Sequence, residues 1–137
     1  MNALDMYKIA ENEKIDIINY KWNNIKARIF EIDNNYYIAL DSGQIHSGIE
    51  EKEILAEELG HYYCNALYYL NSDQVLKDKC EFRAMKWAYS ILVPLQKLKE
   101  KLIQGFNLYE LADYFNVDCK YMIDCIGFYT EKYGILV

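Results

Sequence analysis

The chain has 137 residues, 53% hydrophobic and 26% charged, a globular composition and not a disordered one. Its net charge of −6 and pI near 4.9 argue against a surface that tracks nucleic-acid phosphates and suit a basic protein partner. One proline and six glycines leave no flexible linker, so a single domain with one core is expected over 1–137.

The opening stretch MNALDMYKIAENEK carries acids and no apolar h-region, so it is not read as an export signal. No apolar run reaches the ~20 residues that cross a bilayer. Cys64, Cys80, Cys119 and Cys125 show no Cys-x-x-Cys spacing. They are read as free thiols of a cytoplasmic protein, and neither Cys64 nor Cys80 is taken as a metal ligand.

In chain order, ALDMYKIAEN places Ala3, Met6, Tyr7 and Ala10 on one side of a short helix. KIDIINYKW suits a strand. KARIFEI and YYIAL around Asp33-Asn34-Asn35 read as a hairpin, giving a small antiparallel sheet. DSGQIHSG is a loop carrying His46. From about Glu50 to Leu70 the period becomes helical, with Ile54, Leu55, Leu59, Tyr62, Tyr63, Ala66, Leu67 and Leu70 in one stripe. A second long helix runs from about Asp78 to Leu92 and stops before Pro94, which opens PLQKLKEKLIQ, with Gly105 at its far end. Asn107 and Glu110 form a capping pair for LYELADYF, and Asp118 caps a last helix ending near Gly134. The fold class is α+β.

Residues 57–61 read Glu-Glu-Leu-Gly-His, one letter from the His-Glu-x-x-His pattern of zinc peptidases. Positions i and i+4 share a helix face, so Glu57 and His61 can converge on one ion while Glu58 leans over the same place as a non-ligating base. Taken alone, the stretch is more simply a solvated acidic face with one histidine. A di-metal reading of Glu58 and His61 needs a partner motif on another helix, which a chain with two histidines lacks. Gly60 in mid-helix costs about 1 kcal/mol against alanine, and close approach by another backbone or a substrate would repay that. On the following helix, Ala84 and Ala88 allow close packing, and Glu81 can supply a third ligand.

Together these residues resemble the ImmA/IrrE family of metallopeptidases, which pairs HELGH with a downstream E-x-x-A-x-x-F-A-x-x-L-L-x-P. Here the second motif is matched by Glu81, Ala84, Trp87 for phenylalanine, Ala88, Ile91 for the first leucine, Leu92 and Pro94. The order of elements matches over most of the chain. The resemblance implies a catalytic core over about 1–103, with His61 and Glu81 as metal ligands and Glu58 as general base. Glu57 stands where the family usually has its first histidine. Glutamate also ligates zinc, but two carboxylates cancel a divalent charge. Weaker zinc retention and low intrinsic proteolysis are then expected, with Mn2+ or Fe2+ less implausible than at a two-histidine site. His46 and Tyr63 are possible accessory groups, the first as a second imidazole and the second as an oxyanion donor.

The tail over about 107–134 has the outline of a helix-turn-helix: Leu108, Leu111 and Ala112, a break at Asn116, then Val117 and Ile123. From Asn107 to Tyr133 it carries two lysines against five acids, a net of −3, and no arginine for base edges, so direct nucleic-acid binding is not expected. As the resemblance implies, the function would be zinc-dependent cleavage of a DNA-binding helix-turn-helix repressor of a phage or mobile element. The alternative is an inactive binder that sequesters a repressor or toxin. No membrane partner is expected.

Overall fold

A computed structural model describes residues 1–64 and 72–136. Its elements are helix α1 (Ala3–Asn12), strands β1 (Asp16–Asn19), β2 (Ala27–Ile32) and β3 (Asn35–Leu40), a 3-10 turn (Ser42–Gln44), and helices α2 (Gly48–Tyr63), α3 (Gln74–Leu92), α4 (Leu95–Ile103), α5 (Leu108–Phe115) and α6 (Cys119–Tyr133). The α+β class stands. No described helix is long and apolar enough to cross a membrane. The chain gathers into two compact units, Asn2–Ala88 and a second from Tyr89 onward, with α3 contributing to both.

The sheet is mixed, which corrects the antiparallel expectation at one edge. Its order is β1-β3-β2, with β2 antiparallel and β1 parallel to β3. Alternation of apolar residues marks a strand but carries no information on the direction of its partner. The hairpin register runs from Ile32 opposite Asn35 to Ala27 opposite Leu40. Asp33 and Asn34 are both left-handed, at φ 51° and 67°, as a two-residue type I′ turn requires. Asn35, read as part of the turn, is the first residue of β3.

β2 is an edge strand, and its free side matters later. A two-residue turn makes Ile32 and Asn35 a hydrogen-bonded pair, so bonded pairs alternate back along the ladder through Phe30 and Arg28. The N–H of Ile29 therefore points off the sheet. The loop leading into β2 is tied down by Asp41, which accepts from the N–H groups of Trp22 (2.9 Å) and Gly43 (3.1 Å) and from the Gln44 side chain (2.8 Å). Those bonds hold the Asp41 carboxyl below its ordinary range. Gln44 also donates to the Ile25 carbonyl at 2.8 Å, and Asp41 donates its N–H to that of Lys26 at 2.8 Å.

α1 and α2 cover the sheet, burying Met6, Ala10, Ile29, Ile38, Leu55, Ala56 and Leu59. α2 begins with Ser47, whose hydroxyl accepts from the Glu50 N–H at 3.0 Å. Its described end is Tyr63, with Cys64 as its cap. Ala66, Leu67 and Leu70 lie outside the described residues. α3 starts four residues earlier than expected, because the Asp73 carboxylate accepts from the N–H of Leu76 at 2.8 Å and serves as its cap.

In the second unit α5 packs on α6 through Leu111, Ala112, Phe115, Val117, Met122 and Cys125. Asn107 and Glu110 make a reciprocal capping box, and Asn116 closes α5 in the left-handed conformation. Asp118 occupies the expected cap position of α6 without a side-chain cap bond, and Met122 is buried while Ile123 is exposed.

The contact that positions the site is between backbones. A Cβ on Gly60 would collide with the carbonyl oxygen of Ala84 and lie 3.0 Å from its carbonyl and α carbons. Ala84 is itself fully buried. Gly60→Ala, which should favour an isolated helix, should therefore destabilise the protein by about 1–3 kcal/mol through overpacking. Urea denaturation checks this, and an unchanged or raised midpoint would contradict the close approach.

Candidate metal centre

Where α2 meets α3, Glu57, His61 and Glu81 each present a ligand atom within 4.8 Å of the others. The imidazole Nε2 of His61 stands 3.2 Å from Glu81 Oε1. Glu57 and His61 converge because they are one turn apart on α2, and Glu81 reaches them one turn before the Ala84 contact. His61 is buried, whereas Glu81 is partly open to solvent. These side chains line a cleft of about 310 Å³ together with Glu58, Ile54 and the stretch from Ile25 to Ile29.

Glu58 is beside the ligands and fixed from the sheet. Ile29 donates its outward N–H to Glu58 Oε2 at 2.8 Å. Burial raises the Glu58 pKa above the ordinary carboxyl value, with His61 and the Ile29 bond opposing. Glu57 is pushed up to about 8, first by burial, then by its hydrogen bond to Glu81 and the neighbouring charges of Glu58 and Glu81. Two carboxyls in hydrogen-bond contact in a partly buried place repel one another, and the raised proton affinity of Glu57 expresses that repulsion. A divalent ion would replace that proton and relieve the repulsion. The donor set of two carboxylates and one imidazole fits zinc and leaves the remaining position open.

The other residues singled out from sequence lie elsewhere. His46 is exposed in the turn ahead of Ser47, with its N–H on Glu50 at 2.9 Å, and is not brought into the cluster. Tyr63 donates its hydroxyl to Glu13 Oε1 at 3.1 Å and stacks on Trp87 with ring centroids 4.8 Å apart. Its neighbour Tyr62 donates to the other oxygen of Glu13 at 3.0 Å. Neither tyrosine lines the cleft. Cys64 faces the Arg83 carbonyl at 3.5 Å and Cys80 is buried; neither is among the ligand atoms. Sequence reasoning missed the strand side of the cleft, where Lys26, Arg28 and Ile29 sit. The hairpin was legible, but which of its edges stays open was not.

The family model for the M78 peptidases, described as the IrrE N-terminal-like domain, matches residues 10–122. The chain belongs to this family. Metallopeptidase ImmA of Bacillus subtilis (strain 168) is 28% identical over 139 residues, spanning 93% of this chain and 80% of that relative. No solved structure matches. The resemblance carried by EELGH and the stretch from Glu81 to Pro94 thus holds over the family, which is one of metallopeptidases. In this M78 member, glutamate stands at the first position of the motif, and the fold brings that glutamate to the other two candidate ligands.

The raised Glu57 pKa has a consequence for the metal-free protein. Below the ordinary carboxyl value of 4.5 both folded and unfolded chains hold this proton; from there to about 8 only the folded chain does. The folded state then binds more protons, so this group's contribution to stability is lost as pH rises through that window. Metal-free wild type should lose melting temperature from about pH 5 to about pH 8 relative to Glu57→Gln. Parallel profiles for the two proteins in differential scanning calorimetry would contradict the assignment.

Proposed function

We propose that this M78 member is a zinc-dependent endopeptidase that cleaves a helix-turn-helix repressor of a phage or mobile element. The reading is carried by one observation: Glu57, His61 and Glu81 converge on a point in the cleft that also holds Glu58. A divalent cation held there supplies Lewis-acid chemistry, making water more acidic and a carbonyl more electrophilic.

The protein's own part is proton handling and placement. Glu58 Oε2 is held by the Ile29 N–H. Its Oε1 is then the atom that takes a proton from the attacking water and passes it to the departing amine. The raised affinity of Glu58 for a proton suits an acceptor that must also act as donor. Ile54 and Ile25 contribute apolar surface to the cleft. Zinc is favoured over Mn2+ or Fe2+ by the buried imidazole, although two carboxylates narrow the difference.

The repressor is proposed from the family resemblance in the sequence and from the net charge of −6, which suits a basic protein. Direct nucleic-acid binding is not part of the reading: α5 and α6 have the outline of a helix-turn-helix but carry no arginine and more acids than lysines.

The neutral ligand set favours a second reading, in which the chain binds the repressor or a toxin and cuts it slowly or not at all. Incubation of the zinc-loaded protein with the repressor encoded beside its gene separates the two. Discrete fragments, reduced about 100-fold or more by Glu58→Gln, are expected for the peptidase. A stable complex without fragments would favour the binder, and cleavage undiminished in Glu58→Gln would overturn the mechanism.

A further inference from the structure

The meeting of α2 and α3 is a ladder of three rungs. Glu57, Gly60 and Tyr63 follow one another three residues apart along α2, and Glu81, Ala84 and Trp87 do the same along α3. Positions spaced in this way form one ridge of a helix. Each residue meets its counterpart. Glu57 and Glu81 present ligand atoms within 4.8 Å of each other. Gly60 receives the Ala84 carbonyl where a side chain would stand. Tyr63 stacks on Trp87 with ring centroids 4.8 Å apart and planes at 19°. The middle rung is a backbone contact at one point, which fixes how near α3 comes but not how it tilts. The ligand rung and the ring rung lie on opposite sides of that point, each about 4.5 Å along the helix from it. A shift at the rings is therefore passed to the ligands at about equal size.

The ring rung is also anchored from α1. Tyr63 donates its hydroxyl to Glu13 Oε1 at 3.1 Å, and Glu13 closes the C-terminal end of α1. Tyr62 donates to the other oxygen of that carboxylate at 3.0 Å, while its ring lies edge-on to Tyr36 of the sheet at 4.9 Å. The two neighbouring tyrosines thus share one anchor, and Tyr63 carries the stack on α3. All of these residues belong to the unit Asn2–Ala88.

We propose that Tyr63 is a positioning residue for the metal centre. Its ring, anchored through Glu13 and stacked on Trp87, sets how far Glu81 stands from Glu57 and His61. Tyr63 lies outside the cleft and acts through the tilt of α3. The assignment rests on the metal centre of the peptidase reading above.

Zinc affinity, measured by competition with a chromophoric chelator, reads that spacing without turnover or a known peptide. Wild type, Tyr63→Leu, Tyr63→Phe and Tyr62→Leu are compared, and His61→Ala identifies the zinc bound at the centre. Tyr62→Leu is the matched control, since it loses the same kind of bond to Glu13 and a ring of the same size. Tyr63→Leu should bind zinc about tenfold or more weaker than wild type, the scale on which loss of a ligand-orienting group acts. Tyr62→Leu should keep the wild-type affinity, although both leucine variants lower the melting temperature of the metal-free protein. Tyr63→Phe keeps the stack and loses the hydroxyl bond. It should fall between, and it carries the test if Tyr63→Leu does not fold. Equal zinc affinity in wild type and the folded Tyr63 variants, or an equal loss in Tyr62→Leu, would overturn the role of Tyr63 and leave the centre standing. Wild type that takes up no more zinc than His61→Ala would overturn the centre, and the assignment with it.

Discussion

The site depends on two helices touching backbone to backbone. At the crossing of α2 and α3 there is no room for a side chain on Gly60, because the Ala84 carbonyl occupies its place. Ordinary helix packing keeps axes 8–10 Å apart, with side chains between them. Removing the side chain at this point brings His61 and Glu81 within 3.2 Å of each other and draws Glu57 into the same place. The helix-propensity cost of mid-helix glycine is thus spent on geometry at the centre.

Electrostatics explains why that geometry calls for a cation. Glu57, Glu58 and Glu81 share one cleft with a single imidazole from this cluster, and burial raises Glu57 and Glu58 above ordinary carboxyls. The fold has gathered three carboxyl groups where solvation is reduced, an arrangement that a bound divalent ion would relieve. The edge strand supplies the complementary part. Its outward Ile29 N–H restrains one oxygen of Glu58, and Lys26 and Arg28 are among the residues that line the same cleft. A glutamate at position 57, where the His-Glu-x-x-His pattern has its first histidine, is therefore more than an exchange of one donor for another. It shifts the balance of charge among the groups lining the cleft.

Much of this was legible in the chain because local chemistry specified it. Asn107 with Glu110, and the glycine that ends α6, signalled helix ends through the backbone groups they satisfy. The i, i+4 spacing of Glu57 and His61, and the unexplained Gly60, pointed to the centre and to the close approach that builds it. What stayed hidden depends on long-range pairing. Nothing in Asp16–Asn19 reveals that it runs parallel to β3, and nothing in Arg28 reveals that it lies on an open edge beside Glu58. The start of α3 was missed although Asp73 offered a cap, since an aspartate in a polar stretch suits a turn equally well. His46 drew notice as the second of two histidines, but its backbone is bound into the capping turn at the far end of α2 from His61.

The central claim is that Glu57, His61 and Glu81 hold one divalent ion. Anomalous diffraction at the zinc edge, from crystals of the chain grown with zinc, tests it directly. A single strong peak about 2.0–2.2 Å from a carboxylate oxygen of Glu57 and of Glu81 and from a ring nitrogen of His61, with Glu58 beside it but outside ligand distance, is the expected result. Zinc located elsewhere, or no peak between α2 and α3 at saturating zinc, would contradict it.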